Sequence, residues 1–379
     1  MKASFEGLEL RGRRVLVRED LNVPLEDGRI ADGTRIDAAR PTLDRLRSMG
    51  ARVIVMSHLG RPKGRPDPAL SLRPVAEQLG ARFVDDCLKP AGEIEDGGLV
   101  LLENVRFHPG EEENDPEFAR ALADQAKGGI YVNDAFAASH RAHASVVGVA
   151  GYLPAYAGLL MLAELEALHR ALEDPKRPLL AVVGGAKVST KSGVLRHLLP
   201  RVDSLIVGGA MANTFFAAKG AQLGASLVEP DSIEDAREVE AQGGGKLVLP
   251  VDSVIARRPE AGQETRTAGV DGIPEGWMIL DIGPRSIELF ETRLNGAGTI
   301  VWNGPLGVSE VAEFSQGTEA VGRAIASSGA YTLVGGGDTA AAVARLHLEG
   351  FSHVSTGGGA TLEAMEGKEL PGVAVLKDE

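Results

Sequence analysis

Residues 333–343 read LVGGGDTAAAV. Two apolar residues lead into three glycines, then into Asp338 and a threonine, and then into an alanine-rich segment. This order is typical of a buried strand, a turn without side chains and the first turn of a helix. Gly335, Gly337 and Ala340 also match the dinucleotide-binding spacing G-x-G-x-x-A, but no acidic residue clearly ends the next strand. We therefore interpret the segment as a phosphate-binding turn and treat the dinucleotide match as weak.

Four other apolar runs in the second half of the chain also end in glycine. They are AVVGGAKVSTK (181–191), LIVGGAMANT (205–214), VWNGPLG (301–307) and VSTGGGAT (354–361). A single glycine pair of this kind is an ordinary turn with positive φ. Five of them, alternating with helical segments, predict a parallel sheet whose carboxyl ends share one ligand-binding edge. The backbone N–H groups of such turns and helix starts suit a phosphate.

The spacing of the apolar runs predicts an α/β protein with two doubly wound, parallel-sheet (Rossmann-like) domains joined by a hinge helix. Strands are expected at 13–19, 51–58, 98–104 and 129–136 in the first half, and at 178–185, 204–209, 246–252, 298–304, 330–336 and 353–358 in the second. Turn-rich sequence and an amphipathic helix separate the halves. We expect an N-terminal domain over 1–157, a connecting helix over 158–175, a C-terminal domain over 176–360, and a tail over 361–379 that packs back on the first domain.

Three charged residues accompany the glycine turns. Lys187 and Lys191 follow the first glycine pair, and if the helix has begun by then they share one face. Two lysines at a helix start oppose the helix dipole unless an anion compensates, although two solvated lysines are the simpler alternative. Asp338 is placed to hold Mg²⁺ on nucleotide phosphates, or else to cap the following helix. The sequence GxxxxGK[ST] is absent, so the chain is not a P-loop NTPase.

The expected strand ends of the first half carry charged residues instead of glycine. Arginine, histidine and a few acceptors at one sheet edge would suit a small polyanion, although each arginine taken singly is more commonly a surface residue. The pair His140 and His143 also has a spacing compatible with metal binding, but no third ligand stands at a suitable distance in the sequence. The candidates are Asp20, Asn22, Arg35, His58, Arg61, Arg106 and Arg141.

Composition excludes several classes of protein. A net charge of −13 argues against nucleic-acid binding, and the charge is uneven, with 21 basic and 24 acidic residues in 1–150. The single cysteine, Cys87, excludes an internal disulfide and a Cys-based zinc cluster, and it fits a reducing compartment. The N-terminus lacks the apolar segment of a signal peptide, and the apolar stretch 158–172 is interrupted by glutamates. We expect a cytoplasmic protein that does not associate with membranes.

Taken together, these segments resemble the phosphoglycerate kinase family over nearly the whole chain. The motifs occur in the family's order and spacing, and jointly they are very specific. They are REDLNVP, SHLGRPKG, LLENVRFHPGEE, NDAFAASHRAHAS, GGAKVSTK, GGAMANTF, DIGPRS, VWNGPLGVSE, GGGDTA and SHVSTGGGATLEAMEGKELPG. Glu19, Leu21 and Ala210 depart from the residues common in the family, but none of the three replaces a charged ligand.

The resemblance implies reversible phosphoryl transfer from 1,3-bisphosphoglycerate to Mg-ADP, by a monomer whose two domains close around the ligands. The substrate site that it implies comprises Asp20, Leu21, Asn22, Arg35, His58, Leu59, Gly60, Arg61, Arg106 and Arg141. The implied nucleotide site comprises Lys187, Lys191, Gly209, Gly283, Asn303, Pro305, Glu310, Gly336, Gly337, Asp338 and Thr339, with Glu310 on the ribose and Asp338 on Mg²⁺.

The implied catalytic groups are cations and backbone amides. Arg35 would meet the transferred group from the substrate side and Lys191 from the nucleotide side, with Gly358 and Gly359 beside it and Gly357 nearby. Because the acceptor in the reverse direction is a carboxylate that is already ionised at pH 7, no general base is required. Two alternatives stay open: a nicotinamide-dependent dehydrogenase, which would prefer NAD to ADP, and a non-catalytic module that binds ADP without turnover.

Overall fold

The computed structural model describes residues 2–379, and its contacts divide them into two compact units. The first unit comprises residues 2–166 and 369–379, and the second comprises residues 167–368. Each unit is built on its own six-stranded parallel sheet.

The first unit is doubly wound. Its sheet runs in the order β5-β6-β4-β1-β7-β8, so the chain begins at the centre and builds outward on both sides. Val15 and its neighbour Leu16 are fully buried, as are Val53 and Ile54, and because successive residues of a strand face opposite sides, the sheet is covered on both faces. The strands are β1 (Arg14–Arg18), β4 (Arg52–Met56), β5 (Arg82–Val84), β6 (Leu99–Leu102), β7 (Ile130–Asn133) and β8 (Ala155–Ala157), with a small hairpin of β2 (Leu25–Glu26) and β3 (Arg29–Ile30). The helices are α1 (Thr34–Ser48), α2 (Arg73–Leu79) and α3 (Pro116–Asp124).

The last residues of the chain belong to this first unit. Lys377 accepts a hydrogen bond from the N–H of Ala3 (2.8 Å) and donates one to the carbonyl of Ala155 (3.0 Å). The side chain of Asn133 donates to the carbonyl of Gly372 (3.0 Å), inside the short helix α12 (Pro371–Ala374). The C-terminal segment is therefore held by backbone hydrogen bonds to Ala3 and Ala155 and by the side chain of Asn133.

The second unit repeats the plan with different strands. Its parallel sheet runs in the order β11-β10-β9-β15-β16-β17. The strands are β9 (Leu179–Val183), β10 (Ser204–Val207), β11 (Leu247–Val248), β15 (Thr299–Asn303), β16 (Tyr331–Gly335) and β17 (His353–Val354). The helices are α5 (Ser192–Leu198), α6 (Met211–Ala218), α7 (Ile233–Gly243), α8 (Pro284–Leu294), α9 (Gln316–Ser327), α10 (Gly337–Arg345) and α11 (Gly359–Met365).

The predicted α/β class with two parallel sheets is confirmed, and all ten predicted strands lie in those sheets. The sequence prediction missed the edge strands β5 and β8, which are three residues long and carry no apolar run. It also missed a three-stranded antiparallel sheet in the second unit, in the order β13-β12-β14. Its strands are β12 (Asp252–Ala256), β13 (Arg266–Gly269) and β14 (Met278–Ile282).

A helix carries the chain from the first unit to the second. This helix, α4 (Leu159–Leu168), continues into a π-helical turn, His169–Glu173, inside the span expected for the connecting helix. The carboxylate of Asp134 accepts the N–H of Met161 (2.9 Å) and so caps its first turn. No helix within residues 2–379 has the length and apolarity required to span a bilayer.

The carboxylate of Asp252 fixes the start of α8, and we expect its removal to destabilise the second unit. It is buried and accepts the N–H of Arg285 (3.1 Å) and both the N–H (2.8 Å) and the hydroxyl (2.7 Å) of Ser286. Asp252→Ala leaves these buried donors without an acceptor and should lower the free energy of unfolding by about 3 kcal/mol. Both tryptophans, Trp277 and Trp302, lie in the second unit, so urea unfolding followed by tryptophan fluorescence measures the change there.

The matched control for this prediction is Glu288→Ala, which removes an exposed carboxylate from the same helix. It should change the free energy of unfolding by less than about 0.5 kcal/mol. Equal stability of the parent protein and Asp252→Ala would show that α8 does not depend on this cap.

Candidate functional site

The charged residues predicted in the first half lie at the carboxyl edge of the first unit's sheet. Asp20 and Asn22 follow β1, His58 and Arg61 follow β4, Arg106 follows β6, and Arg141 follows β7. Because β1, β4, β6 and β7 are parallel neighbours, these segments leave the sheet on the same side. Arg35 joins them from the first turn of α1, as its ion pair shows.

Two short networks hold these side chains in place. Arg35 forms an ion pair with the mostly buried Asp20. The side-chain oxygen of Asn22 accepts the N–H of Gly60 (2.8 Å), and the guanidinium of Arg106 donates to the carbonyl of Gly60 (2.9 Å). The backbone of Gly60 therefore ties Asn22 to Arg106, and its N–H is already used within the protein.

A third network sets the protonation of His58. The buried Arg18 donates to Nδ1 of His58 (3.1 Å) and to the hydroxyl of Ser145 (2.8 Å), which in turn donates to the carboxylate of Glu111 (2.6 Å). A guanidinium can only donate, so Nδ1 of His58 is an acceptor and the ring proton lies on Nε2. Burial, together with the charge of Arg18, holds the pKa of His58 well below its usual range. The imidazole is neutral and offers one N–H donor.

The edge carries more positive charge than its carboxylates balance. Burial and the charge of Arg18 lower the pKa of Arg106 to about 10. Burial and the charges of Arg106 and Arg18 lower the pKa of His143 to about 4, with Arg141 acting in the same direction. Cations that depress one another's pKa values create a positive potential, which an anion of several charges would relieve.

The structure changes the interpretation of several predicted substrate residues. Leu21 and Leu59 are buried in the core, so neither side chain can contact a ligand, and the N–H of Leu21 donates to Ser57 (2.9 Å). Arg61 and Arg141 are exposed, and Arg141 donates to the ring of His140 (3.1 Å). Neither His140 nor His143 belongs to a group of three metal-ligating side chains within the described residues.

Glu19, the departure noted in the sequence, is a fully buried carboxyl group. Neither of its oxygens has a hydrogen-bond partner among residues 2–379. Burial, reinforced by the neighbouring Asp134, raises the pKa of Glu19 well above its usual range. The group is therefore protonated over a wide pH range, directly beside Asp20 of the cationic edge.

The five glycine-tipped strands of the second half also meet at one edge, because β10, β9, β15, β16 and β17 are parallel neighbours. Some of these glycines are required because two strand-end turns lie in backbone contact and leave no room for a side chain. The N–H of Gly185 donates to the carbonyl of Pro305 (2.9 Å), and that of Gly209 donates to the carbonyl of Leu306 (3.2 Å). A Cβ on Gly184 would lie 2.1 Å from the Pro305 oxygen, and a Cβ on Gly209, where φ is +68°, would lie 2.6 Å from the oxygen of Gly185.

Other glycines at this edge adjoin open space. A Cβ added to Gly337 or Gly358 would have no atom within 4 Å among the described residues. Gly337 begins α10, and Gly358 immediately precedes α11, which begins at Gly359. The first N–H groups of a helix have no partner within the helix, so these two turns present donors to a ligand. The N–H of Gly357, in contrast, donates to Ser355 (3.1 Å).

The condition under which Lys187 and Lys191 would share a helix face is not met. Helix α5 begins only at Ser192, because Lys191 keeps a non-helical conformation at its N-cap, and the exposed Lys187 lies in the preceding turn. Lys191 is half-buried and its ammonium donates to the side-chain oxygen of Asn303. Burial lowers the pKa of Lys191, while the carboxylates of Asp338 and Glu366 act in the opposite direction.

A cavity of about 430 Å³ opens beside these turns within the second unit. Four predicted nucleotide residues line it. They are Gly209, Pro305, Glu310 and Asp338. Most of the remaining wall is apolar, including Phe216, Leu227, Met278, Leu280 and Leu306. An apolar slot with a few polar groups at its margin is the usual form of a cofactor or nucleotide pocket.

Asp338 is exposed in the first turn of α10 and makes no N-cap bond, so the capping alternative is not adopted. Thr339 uses its hydroxyl internally, donating to the carbonyl of Gly335 (2.8 Å) and accepting the N–H of Gly304 (2.6 Å). Glu310 is exposed and lies 4.0 Å from the guanidinium of Arg345. Of these side chains, the two carboxylates are exposed and can be reached by a ligand or a hydrated cation, whereas Thr339 is buried.

Two predicted nucleotide residues have positioning contacts. Asn303 is buried and its amide donates to the carbonyl of Gly335 (2.9 Å), while its oxygen holds Lys191. Gly283 precedes α8 and its N–H donates to the carbonyl of Asp252 (3.0 Å). Gly336, with φ of +92°, is packed against the amide of Asn303.

Sequence reasoning missed Arg18, Ser145 and Glu111, although an arginine inside the apolar run RVLVR was a visible signal for the first of them. It also missed the apolar wall of the cavity. Those residues come from separate strands and helices between positions 209 and 308, and each reads as ordinary core. No local signal could have identified them.

A cationic edge in one unit and a glycine-lined cavity of nucleotide size in the other are typical of an α/β phosphotransferase that acts on a small anion. The comparisons with known proteins define the family. A model of the family "Phosphoglycerate kinase" matches residues 5–368. The chain is 53% identical to the phosphoglycerate kinase of Pelotomaculum thermopropionicum and 52% identical to that of Moorella thermoacetica, over the full length of all three chains.

Solved structures agree with the sequence relatives. Phosphoglycerate kinase from Coxiella burnetii has a TM-score of 0.92 and 44% identity, covering 99% of this chain and 98% of its own. The enzyme from Pyrococcus horikoshii has a TM-score of 0.84 and 32% identity, with the same coverage. The chain belongs to the phosphoglycerate kinase family, and it is accordingly a phosphotransferase rather than a dehydrogenase or a non-catalytic module.

The buried Glu19 predicts a specific pH dependence of stability. Its folded pKa is raised above the unfolded value near 4.5, so its stabilising contribution is present below that pH and is lost as pH rises through the folded pKa. Glu19→Gln should remove a fall in the free energy of unfolding of up to about 1.4 kcal/mol per pH unit. Urea unfolding at several pH values above 4.5, followed by circular dichroism, measures the difference.

The control for Glu19→Gln is Glu26→Gln, which neutralises an exposed carboxylate in the hairpin. This variant should follow the pH dependence of the parent protein. If Glu19→Gln follows the parent protein as well, then Glu19 is ionised in the folded state and its burial has been misjudged.

Proposed function

We propose that the protein transfers a phosphoryl group reversibly between 1,3-bisphosphoglycerate and Mg-ADP, giving 3-phosphoglycerate and ATP in glycolysis and gluconeogenesis. The observation that carries this proposal is the pairing of an under-compensated cationic edge with a nucleotide-sized cavity in a member of this family. Cations and backbone amides, with no activated nucleophile, are the equipment that phosphoryl transfer requires.

The phosphoglycerate would bind at the carboxyl edge of the first unit. Arg35, Arg106 and the neutral His58 would donate to its phosphate and carboxylate oxygens. Arg61 and Arg141, which are exposed, would turn toward the anion on binding. Asp20 and Asn22 orient Arg35 and Gly60 and would accept the substrate hydroxyl.

The nucleotide would bind in the second unit. Its base would occupy the apolar cavity, and Glu310 at the margin would accept the ribose hydroxyls. Its phosphates would extend toward the N-terminus of α10 at Gly337 and toward Lys187 and Lys191. The remaining predicted residues, Gly209, Gly283, Asn303, Pro305, Gly336 and Thr339, would shape this surface through the backbone contacts described above.

Asp338 fits the demands of Mg²⁺. It is an exposed, hard oxygen ligand at the mouth of the nucleotide cavity, and Mg²⁺ usually takes one or two carboxylates along with phosphate oxygens and water. When bound, the ion would neutralise charge on the phosphate oxygens. The protein's own part is to hold that carboxylate on a helix whose first N–H groups also point to the phosphates.

The transfer would need no general base, because the carboxylate that accepts the group in the reverse direction is ionised at neutral pH. His58 supports this view, since its pKa lies well below the usual range and its ring proton lies on Nε2, where it can only donate. Arg35 and Lys191 would stabilise charge on the phosphoryl group during its transfer, each from one side. The N–H groups of Gly358 and Gly359 would complete the cradle for its oxygens.

Turnover would require the two units to bring their ligands together, with α4 as the connecting element. Exclusion of water at that stage would limit hydrolysis of the acyl phosphate. We further propose that the enzyme acts as a monomer in the cytoplasm, in accord with its single buried cysteine.

Arg35→Ala tests the catalytic role of this side chain. ATP formation from 1,3-bisphosphoglycerate and Mg-ADP should fall by about 10²–10³-fold, because a preorganised donor to the transferred group is lost. The affinity for ADP, measured by calorimetry, should change little. Arg40→Ala, on the same helix and paired with Asp37, is the matched control and should retain activity. Full turnover with weakened ADP binding would refute the assignment, and absence of ATP formation by the parent protein would refute the function.

Asp338→Asn tests the proposed Mg²⁺ ligand. The substitution keeps the size of the side chain but removes its charge, so the affinity for Mg-ADP should fall by about tenfold or more while the affinity for metal-free ADP is retained or rises. Titrations with and without Mg²⁺ measure both quantities. Equal loss of affinity in the two titrations would place Asp338 on the nucleotide itself.

A further inference from the structure

A second group of ligand-type side chains lies in the first unit, outside the residues discussed above. Asp86 and Cys87 follow β5, and His108 follows the turn that carries Arg106. The ring nitrogen Nε2 of His108 lies 3.2 Å from the carboxylate of Asp86, and one ligand atom from each of the three residues lies within 4.8 Å of the other two. Among residues 2–379 this is the one group of three such side chains.

The spacing suits a tetrahedral cation. Zinc bonds of about 2.0–2.3 Å to nitrogen, oxygen and sulfur separate the ligand atoms by about 3.3–3.6 Å. The separation of 3.2 Å between His108 and Asp86 is within about 0.1 Å of this range, and the sulfur of Cys87, within 4.8 Å of both ligand atoms, would move closer on binding. Three protein ligands leave a fourth position for water.

The three ligands are held by neighbours that are not themselves ligands. The carboxylate of Asp86 accepts the N–H of Leu88 (2.9 Å), which fixes the turn. The buried amide of Gln125 donates to the carbonyls of Cys87 (3.3 Å) and Lys89 (2.9 Å). The ring of His108 packs against Phe118 with centroids 5.3 Å apart. Such outer contacts orient ligands before a metal arrives.

The group is reachable and lies in a negative environment. Asp86, Cys87 and His108 line a cavity of about 550 Å³, and the side chains of Asp86 and His108 are 37% and 30% exposed. Burial raises the pKa of the Cys87 thiol, and the carboxylates of Asp86, Glu111 and Glu103 add to the effect. The wall of this cavity also carries the carboxylates of Asp67, Asp85 and Glu103 against the single guanidinium of Arg73, and such a surface attracts a divalent cation.

We propose that Asp86, Cys87 and His108 form a binding site for a borderline transition-metal cation of the Zn²⁺ class. Binding would form one bond each to a carboxylate oxygen, the thiolate sulfur and a ring nitrogen, and it would release the thiol proton to solvent. Thiolate and imidazole ligands select Zn²⁺ or Co²⁺ over Mg²⁺, so the site is chemically distinct from the nucleotide site. The bound ion would join the turn after β5 to the segment that carries Arg106.

Cobalt is the probe for this site, because thiolate coordination to Co²⁺ produces a charge-transfer band in the near ultraviolet. The metal-free, full-length protein is titrated with Co²⁺ in the presence of excess Mg²⁺. We expect one equivalent to bind with that band, and Zn²⁺ to displace it. Thermal unfolding should shift to higher temperature with Zn²⁺, since a ligand that binds only the native state stabilises it.

Three variants locate the ion. Cys87→Ala should abolish the band. His108→Ala should weaken Co²⁺ binding by more than the loss of about 10–100-fold that follows the removal of a residue that only orients a ligand. His169→Ala removes another histidine that pairs with a carboxylate, Glu173 at 2.7 Å, and should bind as the parent protein does. ATP formation by each variant verifies that it has folded.

Two results would overturn the proposal. One is the absence of a charge-transfer band in the parent protein at any Co²⁺ concentration. The other is unchanged affinity in both Cys87→Ala and His108→Ala, which would place the ion elsewhere in the molecule. Because the two variants alter different segments, failure of one to fold leaves the other as a decisive test.

Discussion

All neighbouring strands in the two six-stranded sheets are parallel, and both candidate surfaces depend on this pairing. Parallel pairing delivers every carboxyl end to one edge, so segments that are distant in the chain meet without any further device. In the first unit the edge collects Asp20, His58, Arg106 and their neighbours. In the second unit it collects five glycine turns. The same backbone arrangement therefore produces one surface of side chains and one of bare backbone.

The two surfaces differ in the groups that they offer to an anion: charged side chains in the first unit and mainly backbone N–H groups in the second. The first concentrates guanidinium groups, two of which pair with a carboxylate: Arg35 with Asp20 and Arg106 with Glu112. Arg18 is linked through the hydroxyl of Ser145 to the buried Glu111, and it fixes the tautomer of His58. The second surface offers N–H groups at the starts of α10 and α11, and the charged residues predicted beside them are Lys187, Lys191 and Asp338. A site without a titrating base agrees with a reaction whose acceptor is already ionised.

Much of the fold was readable from local pattern. Ten apolar runs became ten of the twelve strands in the two parallel sheets, and glycine at five strand ends marked the predicted phosphate edge. The motifs also specified the family, which the comparisons confirm. Local pattern did not specify what depends on a helix start or on a neighbour in space. Lys187 and Lys191 would share a helix face only if the helix had begun by Lys187, but α5 begins at Ser192. Leu21 and Leu59 stand inside a functional motif and yet point into the core.

The sequence by itself determined the parallel α/β architecture, the family and the residue types at each strand end, because these follow from periodicity and from short motifs within one turn of chain. Only the tertiary structure decided which of those residues face a ligand and which support a neighbour. Gly184 and Gly209 are required by backbone contacts, whereas Gly337 and Gly358 adjoin open space. The joining of Asp86 and Cys87 with His108, twenty-one residues further along, likewise belongs to the fold, because a distance across a sheet edge has no signature in the sequence.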